Sequence, residues 1–458
     1  MIPRLSVQPC EPASPQIPPA TGPGTGTGTG RIARCFACGT AAWLLAAAMM
    51  LAPAMAQVAS PPLRDYFRET WTTRDGLPHN TINSIVQTGD GYLWFATWEG
   101  AVRYNGRRFT NFDRESGTTL PDSGIRAMRL EPDGSLLLGG SRGGLARFDG
   151  RDWQAIAPAP GLVSSVFRDS AGHLWVGTES AGLVRIGADG HRSLYVAGAG
   201  LPGDSAYDIT EGPDGSVWVA TSGGLVRFEG DTPHALGTAE GLPGGPAFAL
   251  THAPDGALLV GTERGVYRQV DANGGGQHRF ASLDPAMAGE TISRLYFDRR
   301  GDLWVGTVNR GLFRLSARGI EHLGVDDGLP NDRILALFED REDSLWVGTN
   351  GGLFRLSDAP FTSLTRERGL AGNYVRTVLQ QRGGPLWIGT SQGLSRLDGE
   401  TPSTVGQGTR LQGQSVLSLA EANGRSGIWV GTYDAGAMLW RDGRVEAQYT
   451  RDGGLPSN

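Results

Sequence analysis

The chain has 458 residues, a formal net charge of −6 and 39% hydrophobic residues, so it is long enough to bury one large core or two ordinary ones. Its 70 glycines fit many short strands joined by tight turns and fit poorly with long helices. No basic stripe accompanies the acidic net charge, so nucleic-acid binding is not expected.

The N-terminal segment predicts export. Residues 1–30 are rich in Pro, Gly and Thr and form a low-complexity extension that cannot bury a core. Residues 31–56 read as a signal peptide, with Arg31 and Arg34, the apolar stretch AAWLLAAAMML (41–51) and an Ala-x-Ala cleavage site ending at Ala56. We therefore expect a periplasmic protein, with an uncleaved N-terminal anchor as the alternative. All three cysteines precede the cleavage site, so disulfides and thiol chemistry are not expected in the mature protein.

A repeated pentapeptide organises the rest of the chain. Nine copies of a motif typified by LWVGT follow one another at intervals of about 42 residues. The second residue of each copy lies at position 94, 137, 175, 218, 259, 304, 346, 387 or 429. A period of about 40 to 45 residues made of short strands is typical of a β-propeller with one blade per repeat. The predicted fold class is all-β.

Each repeat predicts one four-stranded antiparallel blade. In residues 327–356, RILALFED alternates apolar and polar residues as a half-buried first strand does. SLWVGT is the second strand and GLFRL is the third. The fourth strand is a weak run before the next Gly-Leu-Pro, such as PFTSLT (360–365). An Asp-Gly pair between the first two strands of several copies is a hairpin signal.

Two residues recur too regularly to belong to one binding site. We expect the tryptophan of the second strand to pack between neighbouring blades, because it occurs in seven of the nine copies. The third-strand arginines are expected to be architectural for the same reason; they are Arg103, Arg147, Arg185, Arg227, Arg268, Arg314, Arg355 and Arg396.

The complete unit DGLP…LWVGT…GLFRL resembles the two-component regulator propeller repeat. That repeat is found in extracytoplasmic sensor regions of bacterial hybrid histidine kinases and of some membrane-bound diguanylate cyclases. The resemblance covers residues 63–458, although copies two, five and nine depart from the pattern. It implies a sensor region for signal transduction, and in that family two seven-bladed propellers usually follow each other.

Nine copies exceed the four to eight blades of ordinary single propellers. We predict that residues 63–358 form a seven-bladed ring, completed by a fourth-strand segment within DYFRETWTTRDGLP (65–78) that has no strands of its own before it. Residues 359–458 would begin a second, incomplete ring. The final GGLPSN matches the start of a tenth copy, so the chain is expected to be a fragment that lacks its output domain.

A ligand is expected on the face where fourth-to-first and second-to-third strand connections open, because residues there vary while the framework repeats. Trp98 beside Glu99 is the leading candidate, because no other copy is expected to have an aromatic residue at its place and a flat ring next to charged groups could stack a small polar ligand such as a carbohydrate. Solvated turn residues are the alternative interpretation of each position. The other candidates are His79, Asn80, Arg142, Glu179, Glu263, Arg264, Asn309, Arg310 and Asn350.

Binding without catalysis is therefore the expected function, with no cofactor and no metal site. The seven histidines are scattered over different parts of their repeats, which argues against a streptogramin-lyase-like enzyme. A secreted interaction scaffold is the remaining alternative. Membrane contact would come only from segments absent here or from an uncleaved signal, and the full-length receptor could form a homodimer.

Overall fold

The computed structural model describes residues 60–113, 120–270, 278–358, 363–399, 401–422 and 427–457. The predicted low-complexity extension (1–30) and signal peptide (31–56) lie outside these residues. The described chain forms nine antiparallel sheets and seven short 3₁₀ helices. Within it, no helix has the length and apolar character needed to span a membrane. The all-β architecture of four-stranded sheets predicted from the repeats is confirmed.

The strands are numbered in chain order, and sheets 1 to 9 are numbered by their first strand. The opening strand is β1, Phe67–Trp71. Sheet 1 contains β2 Ile82–Gln87, β3 Leu93–Thr97, β4 Gly100–Tyr104 and β5 Phe109–Phe112. Sheet 2 contains β6 Ile125–Leu130, β7 Leu136–Gly140, β8 Leu145–Phe148 and β9 Trp153–Ile156. Sheet 3 contains β10 Val163–Arg168, β11 Leu174–Thr178, β12 Leu183–Ile186, β13 Arg192–Ala197 and the short parallel β14 Gly200–Leu201.

The following sheets repeat the same order. Sheet 4 contains β15 Ala206–Glu211, β16 Val217–Thr221, β17 Gly224–Glu229 and β18 Thr232–Leu236. Sheet 5 contains β19 Ala247–His252, β20 Leu258–Thr262, β21 Gly265–Gln269 and β22 Phe280–Ser282. Sheet 6 contains β23 Ile292–Phe297, β24 Leu303–Thr307, β25 Leu312–Ser316 and β26 Gly319–Leu323.

Of the last three sheets, only sheet 7 takes its fourth strand from a distant part of the chain. Sheet 7 contains β27 Ile334–Glu339, β28 Leu345–Thr349 and β29 Leu353–Ser357, and its fourth strand is β1. Sheet 8 contains β30 Val375–Gln380, β31 Leu386–Thr390, β32 Gly393–Asp398 and β33 Thr401–Val405. Sheet 9 contains β34 Val416–Glu421, β35 Ile428–Thr432, β36 Ala437–Arg441 and β37 Arg444–Tyr449.

The opening strand completes sheet 7 across nearly 300 residues of chain. β1 pairs antiparallel with β29, placing Trp71 opposite Leu353 and Glu69 opposite Arg355. Trp71 also stacks on Trp346, with ring centroids 5.2 Å apart. The first strands of sheets 1 to 7 contact each other in order, and β27 contacts β2. Sheets 1 to 7 thus meet in a closed cycle around an axial channel, while the domain boundaries at 358 and 359 stay predictions.

The segment expected to open the second ring does not behave like β1. Residues 359–362 of PFTSLT lie outside the described chain, and the described Ser363–Thr365 lie in no strand. Sheet 8 takes its fourth strand from β33 instead. The interpretation of PFTSLT as a fourth strand is therefore wrong for its described residues; the chain there has no hydrogen-bonded strand partner that would hold it extended.

The apolar core is divided into clusters, each lying between two successive sheets. Six of the seven recurring tryptophans lie in these clusters, as predicted, with Trp346 between sheets 7 and 1 and only 1% exposed. Trp429 of sheet 9 is half-buried and lies outside them. In sheet 7 the arginine opposite the tryptophan on the third strand lies over its indole ring, at 5.3 Å for Arg355 and Trp346. The same contact occurs in sheets 1, 3, 4, 6 and 8. Cation–π contact explains why the two residues recur together.

The last two residues of LWVGT also have structural roles. A Cβ at Gly348 would lie 2.6 Å from the carbonyl oxygen of Ile82 on the neighbouring sheet, so only glycine permits this approach. The hydroxyl of Thr349 donates to the carbonyl of Gly352 at 2.8 Å and closes the turn to the third strand.

The Gly-Leu-Pro motif also has a structural role: Gly328 has φ of 97° at the end of a 3₁₀ helix, and Leu329 is buried. The 3₁₀ helices are Leu63–Asp65, Thr73–Asp75, Thr238–Glu240, Pro285–Met287, Val325–Asp327, Arg366–Arg368 and Arg451–Gly453.

Candidate functional site

Trp98 stands at the mouth of the axial channel, in the two-residue turn between β3 and β4. Its side chain is half-buried, and the guanidinium of Arg126 lies 4.9 Å from the centre of its ring. The absence of a side chain at Gly124 makes room for the ring, because a Cβ there would lie 3.1 Å from Cε3 of Trp98. Glu99 is exposed, and its backbone N–H donates to the hydroxyl of Thr97 at 3.1 Å. The turn therefore presents the ring of Trp98, which contacts the guanidinium of Arg126, next to the exposed side chain of Glu99.

Glu179 belongs to the same neighbourhood. It is exposed in the turn between β11 and β12, and its negative charge raises the pKa of Arg126. Burial has the larger, opposite effect, so the pKa of Arg126 is lowered overall. Arg126, which was not among the predicted residues, thus lies over Trp98 and within the electrostatic influence of Glu179.

Most of the other predicted residues are engaged in their own turns. His79 accepts the N–H of Thr81 at Nδ1, 2.9 Å away, and Asn80 accepts the N–H of Thr73 at 2.8 Å. These contacts stabilise the backbone of the connections. The remaining paired candidates are Arg142 with Asp122 at 3.3 Å, Arg310 with Glu290 at 2.5 Å and Glu263 with Arg264 at 3.6 Å. Asn309 and Asn350 are exposed.

One aromatic residue was missed at the position that corresponds to Trp98. Tyr433 follows Thr432 in sheet 9 as Trp98 follows Thr97 in sheet 1. It is 70% exposed, whereas Trp98 is half-buried against Arg126. The alignment of the nine motifs contained this signal, because the residue after each LWVGT copy can be read directly.

The channel itself contains charged residues that were also missed. A cavity of about 160 Å³ lies between the first strands and is lined by Arg126, Arg129, Arg294 and Asp208 among smaller polar residues. Arg126, Asp208 and Arg294 are half-buried, and Arg129 is exposed. The signal in the sequence is a charge inside an alternating strand, as in GIRAMRL or ISRLYF. Charged residues are rarely placed in a core unless they are paired or functional.

The described histidines do not assemble a metal site. His173 contacts Asp169 and Arg185, and His278 contacts Gln269 and the ring of Trp218. Across the described residues, no group of three or more His, Cys, Asp or Glu side chains is placed to hold a metal ion.

The repeats match the two-component regulator propeller family profile at five places. The matched residues are 76–99, 159–180, 200–223, 287–309 and 328–351. The chain thus contains two-component regulator propeller repeats. Their matched parts span the end of the Gly-Leu-Pro connection, the first strand and the second strand, which are the segments that form the channel wall and its mouth. A search of curated protein sequences gave no match.

Solved structures share the propeller fold of these repeats. The extracellular domain of a protein assigned to a hybrid two-component system of B. thetaiotaomicron aligns with a TM-score of 0.68 and 21% identity, over 82% of this chain and 53% of that one. A second such domain from the same organism aligns with a TM-score of 0.53 and 17% identity, over 86% of this chain and 62% of that one. The present chain therefore spans between half and two thirds of these relatives.

A streptogramin B lyase aligns with a TM-score of 0.50 and 16% identity, over 65% of this chain and 99% of the lyase. At these identities the three likenesses establish the fold alone. The predicted β-propeller architecture and the predicted repeat family are confirmed.

Proposed function

We propose that this protein is the extracytoplasmic, ligand-binding sensor region of a membrane signal-transduction receptor of the two-component or diguanylate cyclase type. The observation that carries the proposal is the set of two-component regulator propeller repeats, matched at five places. The structures most like it in fold include extracellular domains assigned to hybrid two-component systems, which supports the same function by analogy. Export through residues 31–56 to the periplasm is part of the proposal.

The ligand would bind at the channel mouth beside Trp98. The turn residues differ from sheet to sheet while the tryptophans, arginines and glycines beneath them repeat, as expected for a site carried by a rigid scaffold. Trp98 offers an apolar face, and Arg126 and Glu179 offer a donor and an acceptor around it. An aromatic face flanked by polar groups suits a small polar ligand such as a carbohydrate.

A melting screen tests this proposal. The purified protein is heated with sugars, amino acids and carboxylic acids, and each solute is recovered and quantified afterwards. A sensor region should be stabilised by at least one solute, because a ligand that binds the folded state raises the melting temperature, and should return that solute unchanged.

Two variants localise the effect. Trp98→Ala should lose the solute-induced shift, whereas Tyr433→Ala, at the corresponding turn of sheet 9, should keep it. Consumption of the solute would favour a lyase instead, and copurification of a protein partner without any solute effect would favour a scaffold.

A further inference from the structure

Three arginines and one aspartate line the axial channel on the first strands of sheets 2, 4 and 6. They are Arg126 and Arg129 of β6, Arg294 of β23 and Asp208 of β15. Asn83, Ser84, Ser164 and Ser165 of other first strands also line the cavity, together with apolar residues such as Ile85 and Val166. The cavity of about 160 Å³ is several times the ~30 Å³ that one water molecule occupies in the liquid.

These arginines differ from the other arginines of the ring in their partners. Arg147, Arg314 and Arg355 each pair with a carboxylate of the turns or of a neighbouring strand. Among the described residues, no carboxylate oxygen lies within 4.0 Å of the guanidinium nitrogens of the channel arginines. Arg126 donates instead to the amide oxygen of Asn83 at 3.3 Å, and its buried Nε has no hydrogen-bond partner.

The other two channel arginines are held by uncharged groups. Arg294 donates from Nη1 to the carbonyl of its neighbour Ser293 at 2.6 Å. The guanidinium of Arg129 lies 4.2 Å from the ring centre of Phe167. Neither contact neutralises the charge, and most donors of these planar groups remain available to the channel.

Asp208 does not supply the missing counter-charge to any one arginine. Its two oxygens accept the backbone N–H groups of Ile209 and Leu250, each at 2.9 Å, and so link β15 to β19. Burial raises the pKa of Asp208, although Arg294 and Arg129 act in the opposite direction. This carboxylate is thus a structural bridge whose charge is shared between two arginines.

The channel has an excess of positive charge. Burial lowers the pKa of Arg126, Arg129 and Arg294, and the charge of Arg333 lowers it further for Arg126 and Arg294. An arginine stays charged at neutral pH nonetheless. Among the residues that line the cavity, three arginines face a single carboxylate, Asp208, so two positive charges are uncompensated there. A buried charge without a counter-ion is costly, which favours binding of an anion.

We propose that the axial channel binds a tetrahedral oxyanion, a sulfate or phosphate group, between Arg126, Arg294 and Arg129. Planar guanidinium groups bind such oxyanions through two parallel hydrogen bonds. The inference rests on the proposed function in one respect: Arg126 also lies over Trp98, so the oxyanion would be an acidic substituent of the ligand whose remaining part stacks on that ring.

Titration calorimetry of the purified protein with sodium sulfate and sodium phosphate, at ionic strength held constant with sodium chloride, tests the site. Both anions should bind, and Arg126→Gln or Arg294→Gln should weaken binding at least tenfold, since a charge-assisted bidentate contact is lost. Arg107→Gln, a variant of an exposed arginine beside β5, should leave the affinity unchanged.

The melting temperatures of the unliganded variants show whether Arg126 serves to bind an anion or to stabilise the fold. Removal of an uncompensated positive charge should leave the melting temperature of Arg126→Gln equal to or above that of the wild type in chloride buffer. If the arginine is only structural, the melting temperature falls and the proposal is wrong. Equal stabilisation of wild type and Arg126→Gln by both anions would reveal a general salt effect and would also overturn it.

Two sugar esters show whether the oxyanion is inorganic or part of a larger ligand, and they separate the channel proposal from the sensor proposal. Glucose 6-phosphate and N-acetylglucosamine 6-sulfate should bind more tightly than the inorganic anions, and Trp98→Ala should remove that advantage while inorganic binding persists. Binding of inorganic anions without an effect of any organic solute would support the channel site and contradict the sensor proposal. Binding of a neutral sugar at Trp98, with no binding of sulfate or phosphate, would support the sensor proposal and contradict the channel site.

Discussion

The indole Nε1 of Trp346 donates a hydrogen bond of 2.6 Å to Oδ2 of Asp340, six residues earlier in the chain. The hydrogen bond joins the second strand of a sheet to the end of its first strand and satisfies a buried indole. Equivalent pairs occur at the same spacing in four other sheets; they are Trp94 with Thr88, Trp175 with Asp169, Trp304 with Asp298 and Trp387 with Gln381.

The Trp346–Asp340 pair predicts how much stability the protein loses when the interface between sheets 7 and 1 is disrupted. Trp346→Ala should lower the free energy of unfolding by about 3 to 5 kcal/mol, because it empties a buried site between sheets 7 and 1. Asp340→Ala should cost about 1 to 3 kcal/mol, because the indole N–H loses its acceptor. Urea unfolding followed by tryptophan fluorescence and circular dichroism measures both. A midpoint unchanged by Trp346→Ala would contradict the packing role.

Gly348 predicts a second effect on the same interface. Gly348→Ala should destabilise the protein by about 1 to 3 kcal/mol, because the added methyl group meets the backbone oxygen of Ile82 at 2.6 Å. Gly89→Ala is the matched control, since a Cβ there has no heavy atom within 4 Å. Similar melting curves for the two variants would show that the two sheets do not approach each other as described.

The pairing of β1 with β29 predicts a specific disulfide. Glu69 and Arg355 are direct partners, and the Cα separation of antiparallel partners suits a disulfide. The double variant Glu69→Cys, Arg355→Cys should oxidise spontaneously and yield one cross-linked peptide by mass spectrometry. The control pairs Glu69→Cys with Arg396→Cys, the corresponding residue of sheet 8, and should not cross-link. The opposite pattern would place the opening strand elsewhere.

Trp98 should behave as a ligand residue rather than a core residue. Trp98→Ala should change the unfolding free energy of the unliganded protein by less than about 1 kcal/mol, because the side chain is half-buried in a turn. Trp98→Phe should retain part of the solute-induced melting shift, since it keeps an aromatic face. A loss of stability as large as that of Trp346→Ala would assign Trp98 to the framework.

His252 predicts a pH dependence of stability. Burial lowers its pKa below the ordinary value, so the folded state takes up a proton less readily than the unfolded state. As pH falls below about 6.5 the unfolded state gains that proton and stability should decline. Melting temperatures between neutral and mildly acidic pH should show a weaker slope for His252→Asn than for wild type. High salt should leave the difference in place, because its cause is desolvation rather than ion pairing. Parallel slopes would contradict this account.

The repeated parts of the fold could be predicted because each repeat contains the same local physical requirements. The period placed the strands, and the recurrence of Trp and Arg at facing positions identified them as framework. The segment at 360–365 could not be judged from composition, because an apolar run becomes a strand only where a partner strand is available, as β29 is for β1.

The candidate site was harder to predict, because it depends on contacts between repeats. His79, Asn80 and Arg142 looked free in the sequence, and their partners became visible only in the folded turns. Arg126 and Arg294 are separated by 168 positions, so only the cyclic order of the sheets brings their charges together. The sequence nevertheless shows that both arginines lie within strands of alternating apolar and polar residues.

The most direct test of the account is hydrogen–deuterium exchange of the protein with and without the solute that gives the largest melting shift. The account predicts slower exchange in the β3–β4 turn at Trp98, in β6 and in the β11–β12 turn, with sheets 8 and 9 unchanged. Protection confined to sheets 8 and 9, or to the outer rim of sheets 4 and 5 around His234 and His278, would contradict a ligand site at the channel mouth.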